Sequence, residues 1–206
     1  MCGAAGIDED DRTGIAAVRV IGADLLLPSV LHGRHPHPGD VALLHRAVRE
    51  FPPRPDASDA AMWSHWGMMS ALHRSAPAAV AAGRPPLAVS PAEEPDAAWL
   101  EGAPWQSFTH QLSVLAPLAV PAASSAVHRA AAHRVVDLAR GFVRAVRRRD
   151  WLQAAGTGRW LAALDGRPDS LGLDHGLDFV ELMGGTDPRV ALHVRAARLM
   201  AEGRPR

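Results

Sequence analysis

The residues best placed to move a proton lie near the end of the chain, in Asp174-His175-x-x-Asp178-x-x-Glu181. On a helix, positions three apart share a face, so His175, Asp178 and Glu181 meet beside the apolar Leu177, Phe179 and Val180. An imidazole with carboxylates against an apolar wall is a set suited to general acid–base catalysis. These three are the first candidates for catalytic residues. The bland reading is a helix whose acidic start complements its dipole and whose later acids face water.

Three further groups stand out. Met62-Trp63-Ser64-His65-Trp66-Gly67-Met68-Met69 makes a soft, polarisable surface, on which His65, Trp66 and Met69 are candidate substrate contacts. His65 or His73 in such a wall would also suit a haem iron. His133, Asp137, Arg140, Arg144 and Arg148 line one face of a helix, and Arg140 and Arg144 are placed to hold an anionic group through their guanidinium forks. His32, His35 and His37, within six residues of a Pro- and Gly-rich loop, have the atoms for a divalent metal, although the spacing matches no standard site.

Composition removes other chemistries. All 22 basic residues are Arg, and Lys, Asn and Tyr are absent. That bias fits a very high-GC genome of the actinobacterial kind. It leaves no Schiff-base lysine, no phosphate-loop lysine and no phenolic acid. The single Cys2 allows no internal disulfide, thiolate zinc site or iron–sulfur cluster. The 22 acids balance the arginines, and no nucleic-acid recognition motif is present. The balance is uneven along the chain, acidic before residue 120 and basic after it, which would steer an anionic ligand or drive self-association.

The elements that must position these groups repeat with a helical period. Asp40 is a candidate cap for a helix through Val41, Leu44, Val48 and Phe51, stopped by Pro52-Pro53. Ser58 or Asp59 opens the next, with Met62, Trp66, Met69 and His73 on one face and a break expected between Ser75 and Pro77. Residues 84–96 read as a Pro-rich surface connection in which Ser90 and Glu93 have capping-box spacing. Pro104 suits the start of a helix through Phe108, Leu112, Leu115 and Leu118. A stripe at Val127, Ala131, Val135, Leu138, Phe142 and Val146 predicts a long central helix near 121–149. Gly156 and Gly158 predict a break before a short helix at Trp160-Leu161. Gly176–Met183 and a helix opened by Asp187-Pro188 complete the series, and Ile15–Ile21 fits either a strand or a helix.

These signals predict an all-α, single-domain helical bundle of about seven to nine helices, some Pro-kinked, over residues 14–206, behind a flexible acidic tail at 1–13. The expected function is a cytoplasmic, cofactor-independent enzyme of specialised metabolism. It would be a lyase, cyclase or isomerase acting on a small, anionic substrate, without nucleic acid or membrane. Two alternatives rest on the same residues. One is a protein holding haem or a divalent metal. The other is a non-catalytic subunit of a homo- or hetero-oligomer.

Overall fold

The computed structural model describes residues 12–81, 93–121 and 123–203, whose regular elements are all helical, with no strand among them. Among the described residues there are eleven α-helical segments, nine of them at least eight residues long. They gather into two compact units, one up to Pro95 and one from Asp96. The division falls at the end of the Pro-rich segment 84–96.

The first unit holds α1 (Arg12–Ile21), a 3₁₀ turn (Gly22–Leu26), α2 (Leu27–Leu31), α3 (Pro38–Glu50) and α4 (Asp59–Ala81). The ambiguous stretch 15–21 is therefore helix, and that helix begins at Arg12, inside what reads as tail. Residues 12–31 are long and apolar enough to cross a membrane by length and composition alone. Here the stretch is interrupted at Gly22, whose φ is +64°. It contributes Ile15, Val18 and Leu26 to a core shared with Leu43, Leu44, Ala47, Val48, Met68, Ala71 and Leu72.

Three local expectations change in this unit. The cap of α3 is His37, whose Nδ1 accepts from the Gly39 N–H at 3.2 Å, with Pro38 at the first helical position. Asp40 instead lies buried in the first turn, where the helix dipole favours a carboxylate. Helix α4 opens at Ser58, whose Oγ accepts from the Ala61 N–H at 3.4 Å, and runs on through Pro77. Its buried side chains are Trp63, Met68, Ala71, Leu72 and Ser75, while Met62 and His73 are exposed. The helix is apolar nearly all round, so its own pattern does not fix which face turns inward; the packing partners do. The capping-box serine, Ser90, lies outside the described residues, and Glu93–Ala97 are not helical.

The second unit comprises α5 (Ala98–Glu101), α6 (Trp105–Val114), a 3₁₀ turn (Ala116–Leu118), α7 (Ala126–His133), α8 (Val135–Arg147), α9 (Trp151–Ala163), a 3₁₀ turn (Asp169–Leu171), α10 (Leu173–Gly184) and α11 (Pro188–Glu202). Phe108, Leu112, Leu115 and Leu118 are all buried, as their spacing predicts, and so are Val190, Val194 and Ala197 on α11. Asp187 caps α11 by accepting from the Arg189 N–H at 2.9 Å.

The long helix expected over 121–149 is two helices. They meet at Arg134, whose backbone (φ −123°, ψ 33°) leaves the helical region. Its side chain explains the break. Nη1 donates to the carbonyls of Leu100 and Ala103, at 3.0 and 2.9 Å, and Nε donates to Asp137 Oδ2 at 2.9 Å. The guanidinium also covers the Phe108 ring at 4.1 Å. Arg134 thus ties the α7–α8 junction to the loop that precedes α6.

The central element is α9, on which α6, α8, α10 and α11 all pack. The break expected at Gly156 and Gly158 does not occur, and residues 154–162 form one continuous buried stretch. Glycine lowers helix propensity by about 1 kcal/mol relative to alanine. Here it permits contacts that no side chain would allow. A Cβ on Gly156 would lie 2.7 Å from the Ser113 carbonyl oxygen, and one on Gly158 would lie 2.8 Å from Leu177 Cδ2. Trp160 locks the packing of α6 on α9 by donating its indole N–H to the Leu112 carbonyl at 2.7 Å.

Candidate ligand-binding groove

The outer face of α8 forms one wall of a groove of about 740 Å³, built wholly within the second unit. Along α8 the lining runs Val136, Ala139, Arg140, Val143, Arg144, Arg147 and Arg148. These positions recur every three to four residues and so occupy one helix face. Trp105, at the start of α6, closes one side. Pro168, Ser170 and Leu171, from the connection after α9, close another. Gly166 brings that connection back across α8: its φ is +78°, and a Cβ there would stand 4.0 Å from Val135 Cγ1.

The groove is apolar at one end and cationic at the other. Val136 and Ala139 lie towards the N-terminal part of α8, Val143 follows just past its middle, and Arg144, Arg147 and Arg148 lie at its C-terminal end. Val136 and Val143 are among the exposed large apolar side chains of the protein. Arg140 sits between the two ends, 3.3 Å from Asp137 Oδ1, the carboxylate that also holds Arg134. The Arg144 guanidinium lies 5.5 Å from the centre of the Trp105 ring, a cation–π contact that orients it at about 0.5–1 kcal/mol for an exposed site. Among the described residues, Arg144, Arg147 and Arg148 form no ion pair.

An anion at this end would meet the negative pole of the α8 dipole, worth about 0.3–1 kcal/mol against it. A charge-assisted hydrogen bond contributes about 1.5–3 kcal/mol. A single guanidinium fork therefore outweighs the opposition of the dipole to an anion at this end.

The sequence candidates divide around this groove. Arg140 and Arg144 line it. Trp105 and the valines carried no sequence signal of their own, although Val136 and Val143 share the helical spacing of the arginines. His65, Trp66 and Met69 belong to the first unit. There Trp66 packs edge-on against Trp63 at 5.1 Å between ring centres, and Met69 leans on the core. The His65 ring is held neutral-leaning, its pKa lowered first by burial and then by the charge of Arg19.

His175, Asp178 and Glu181 share a face of α10, as their spacing requires, but none of them lines the groove. Asp178 and Glu181 are tied to one cation. Arg198 on α11 reaches Asp178 Oδ1 and Glu181 Oε2, each at 2.7 Å. His175 is exposed. The face is an ion-pair cluster open to water, not an acid–base pair against an apolar wall. His32, His35 and His37 are exposed, and His37 spends its Nδ1 on capping α3. Among the described residues no three His, Cys, Asp or Glu side chains stand close enough to share a metal ion.

A further polar pair was missed because it lies deep in the core. Arg159 is fully buried on α9, its Nε donating to the Ala119 carbonyl at 3.1 Å and its Nη1 lying 3.2 Å from Nδ1 of the buried His193. It fastens the turn after α6 and the inner face of α11 to the central helix. Comparison of the chain with known protein families, with curated proteins and with solved structures finds no match in any of the three.

Proposed function

We propose that the second unit is a binding module for a small ligand with an anionic group and an apolar body, held in the α8 groove. The observation that carries this reading is the joint lining: four arginines and five apolar side chains facing one concavity, with Trp105 beside Arg144. Ligand sites are characteristically concave and mostly apolar, with a few placed polar groups. The lyase, cyclase or isomerase reading depends on His175, Asp178 and Glu181. Those groups stand outside the groove with both carboxylates already paired, and this favours binding over acid–base catalysis as the reading to test.

The test uses 8-anilinonaphthalene-1-sulfonate, an anionic aromatic fluorophore, titrated into the native protein. The expected result is one salt-sensitive site whose affinity falls at least tenfold in Arg140→Ala/Arg144→Ala, since each lost charge-assisted bond is worth about 1.5–3 kcal/mol. His175→Ala and Asp178→Asn leave the affinity unchanged. Equal binding by wild type and the arginine variant would remove the groove from consideration.

A further inference from the structure

Resting on that reading of the groove, we infer its ligand class: a free phosphate monoester carrying a linear apolar chain. Two features of the lining select it. The first is the charge at the cationic end. Arg144, Arg147 and Arg148 bring three guanidiniums to one end of the groove, and among the described residues none of them is neutralised by a carboxylate. A carboxylate ligand carries one charge and two oxygens, enough for one bidentate fork. A phosphate monoester carries close to two charges and three terminal oxygens, enough for two forks. The head that best matches this end is therefore phosphoryl.

The second feature is the polarity gradient along α8. The apolar stretch from Val136 to Val143 covers about 10 Å at 1.5 Å per residue. Pro168 and Leu171 line the same groove. An extended alkyl chain of about eight carbons spans that distance. A bare phosphate would leave this floor exposed, while a chain lying on it removes the exposed faces of Val136 and Val143 from water. A phospholipid in a bilayer offers the same head, but its chains remain in the membrane and leave the floor uncovered. The floor thus argues for a free amphiphile. Arg140 interrupts this floor between Ala139 and Val143, with its guanidinium drawn to Asp137 Oδ1 at 3.3 Å.

Isothermal titration with n-octyl phosphate, octanoate and inorganic phosphate at one ionic strength tests the inference. Octyl phosphate is expected to bind at least tenfold tighter than either of the others. Arg147→Ala/Arg148→Ala should reduce its affinity at least tenfold. Val143→Gln, at an exposed position, should bring octyl phosphate down towards inorganic phosphate without changing the latter. Sedimentation with phosphatidylcholine vesicles containing phosphatidic acid supplies the membrane arm, and no enrichment over pure phosphatidylcholine is expected.

Each contrary result has its own meaning. Octanoate equal to octyl phosphate overturns the phosphoryl head. Inorganic phosphate equal to octyl phosphate overturns the chain and leaves an anion groove standing. Binding to the vesicles without binding to octyl phosphate overturns the free ligand. Failure of all three soluble probes, together with failure of the sulfonate dye, overturns the groove itself.

Discussion

Helices α8 and α10 both pack on α9, and both carry charged residues at helical spacing on an outer face, yet the two faces end in opposite states. On α10 the carboxylates of Asp178 and Glu181 are answered by Arg198 from the neighbouring helix. The face is electrostatically closed. On α8 Arg144, Arg147 and Arg148 look into a concavity lined by no carboxylate, while the nearby Asp137 serves Arg134 and Arg140. That face is open. Spacing reports which side chains share a face. It does not report whether another helix has already supplied the counter-charge, and this separates a paired face from an unpaired one.

The largest expected effect breaks both faces together, through the helix they share. Trp160→Ala removes a fully buried side chain and its hydrogen bond to the Leu112 carbonyl. The expected destabilisation is about 3–5 kcal/mol, measured by urea unfolding. A loss under about 1 kcal/mol would mean that α9 is not the common support, and the comparison between its two flanking faces would lose its basis.

A smaller change acts at the α8 end alone. Arg149, just past that helix, has φ +59°, a left-handed conformation in which an L side chain is strained. Asp150 N–H donates back to the Ala145 carbonyl at 3.0 Å, completing a helix-ending turn of the kind glycine ordinarily occupies. Arg149→Gly is expected to raise stability by about 0.5–1 kcal/mol, the strain relieved being partly offset by glycine's greater freedom in the unfolded chain. It should leave α10 untouched. A fall in the unfolding midpoint would show that the Arg149 side chain contributes more to the α8 terminus than its backbone strain takes away.

These two residues also mark what the sequence could and could not disclose. The helices were legible because Phe108, Leu112, Leu115 and Leu118, or Val190, Val194 and Ala197, repeat with an unbroken helical period and bury as that period requires. The helix breaks were not. Gly156 and Gly158 carry the same local signal whether the chain stops there or a neighbour presses close, and only the position of Ser113 and Leu177 decides. Arg134 gave no breaking signal, because the carbonyls that pull it out of register lie more than thirty residues away. The candidate site divided in the same way. Arg140 and Arg144 were legible as a cationic stripe, but the groove depends on Trp105 and on the 168–171 segment, which share no spacing with α8. The pairing of Asp178 and Glu181 was not legible, because their partner, Arg198, arrives from α11.

The closed state of α10 has its own test. Arg198→Ala removes the cation that holds both carboxylates. The pairs are partly exposed, with Arg198 at 39% and Asp178 at 65% side-chain exposure. Exposed pairs contribute about 0–1 kcal/mol, so a loss below about 1 kcal/mol is expected, shrinking further in high salt. A loss well above that would mean the cluster braces α10 against α11. Dye affinity in the groove should not change, because none of the three residues lines it.

The smallest effect expected is a pH dependence, and it also separates a packed face from an open one. His128 on α7 is half-buried, its ring 5.8 Å from Trp160 on α9, and burial lowers its pKa from the ordinary value of 6.5. The unfolded chain therefore takes up this proton at a higher pH than the folded protein does. Where the unfolded state binds more protons, stability rises with pH. The contribution is complete above about 6.5 and is lost as pH falls from there through the depressed folded value. His65 in the first unit is shifted in the same direction and adds to the slope. Urea midpoints measured between pH 7.5 and 5 should decline, and His128→Gln and His65→Gln should each flatten part of that decline. An unchanged slope in His128→Gln would mean that the α7–α9 contact admits water to the imidazole, which would make the Trp160 side of α9 less tightly closed than its full burial implies.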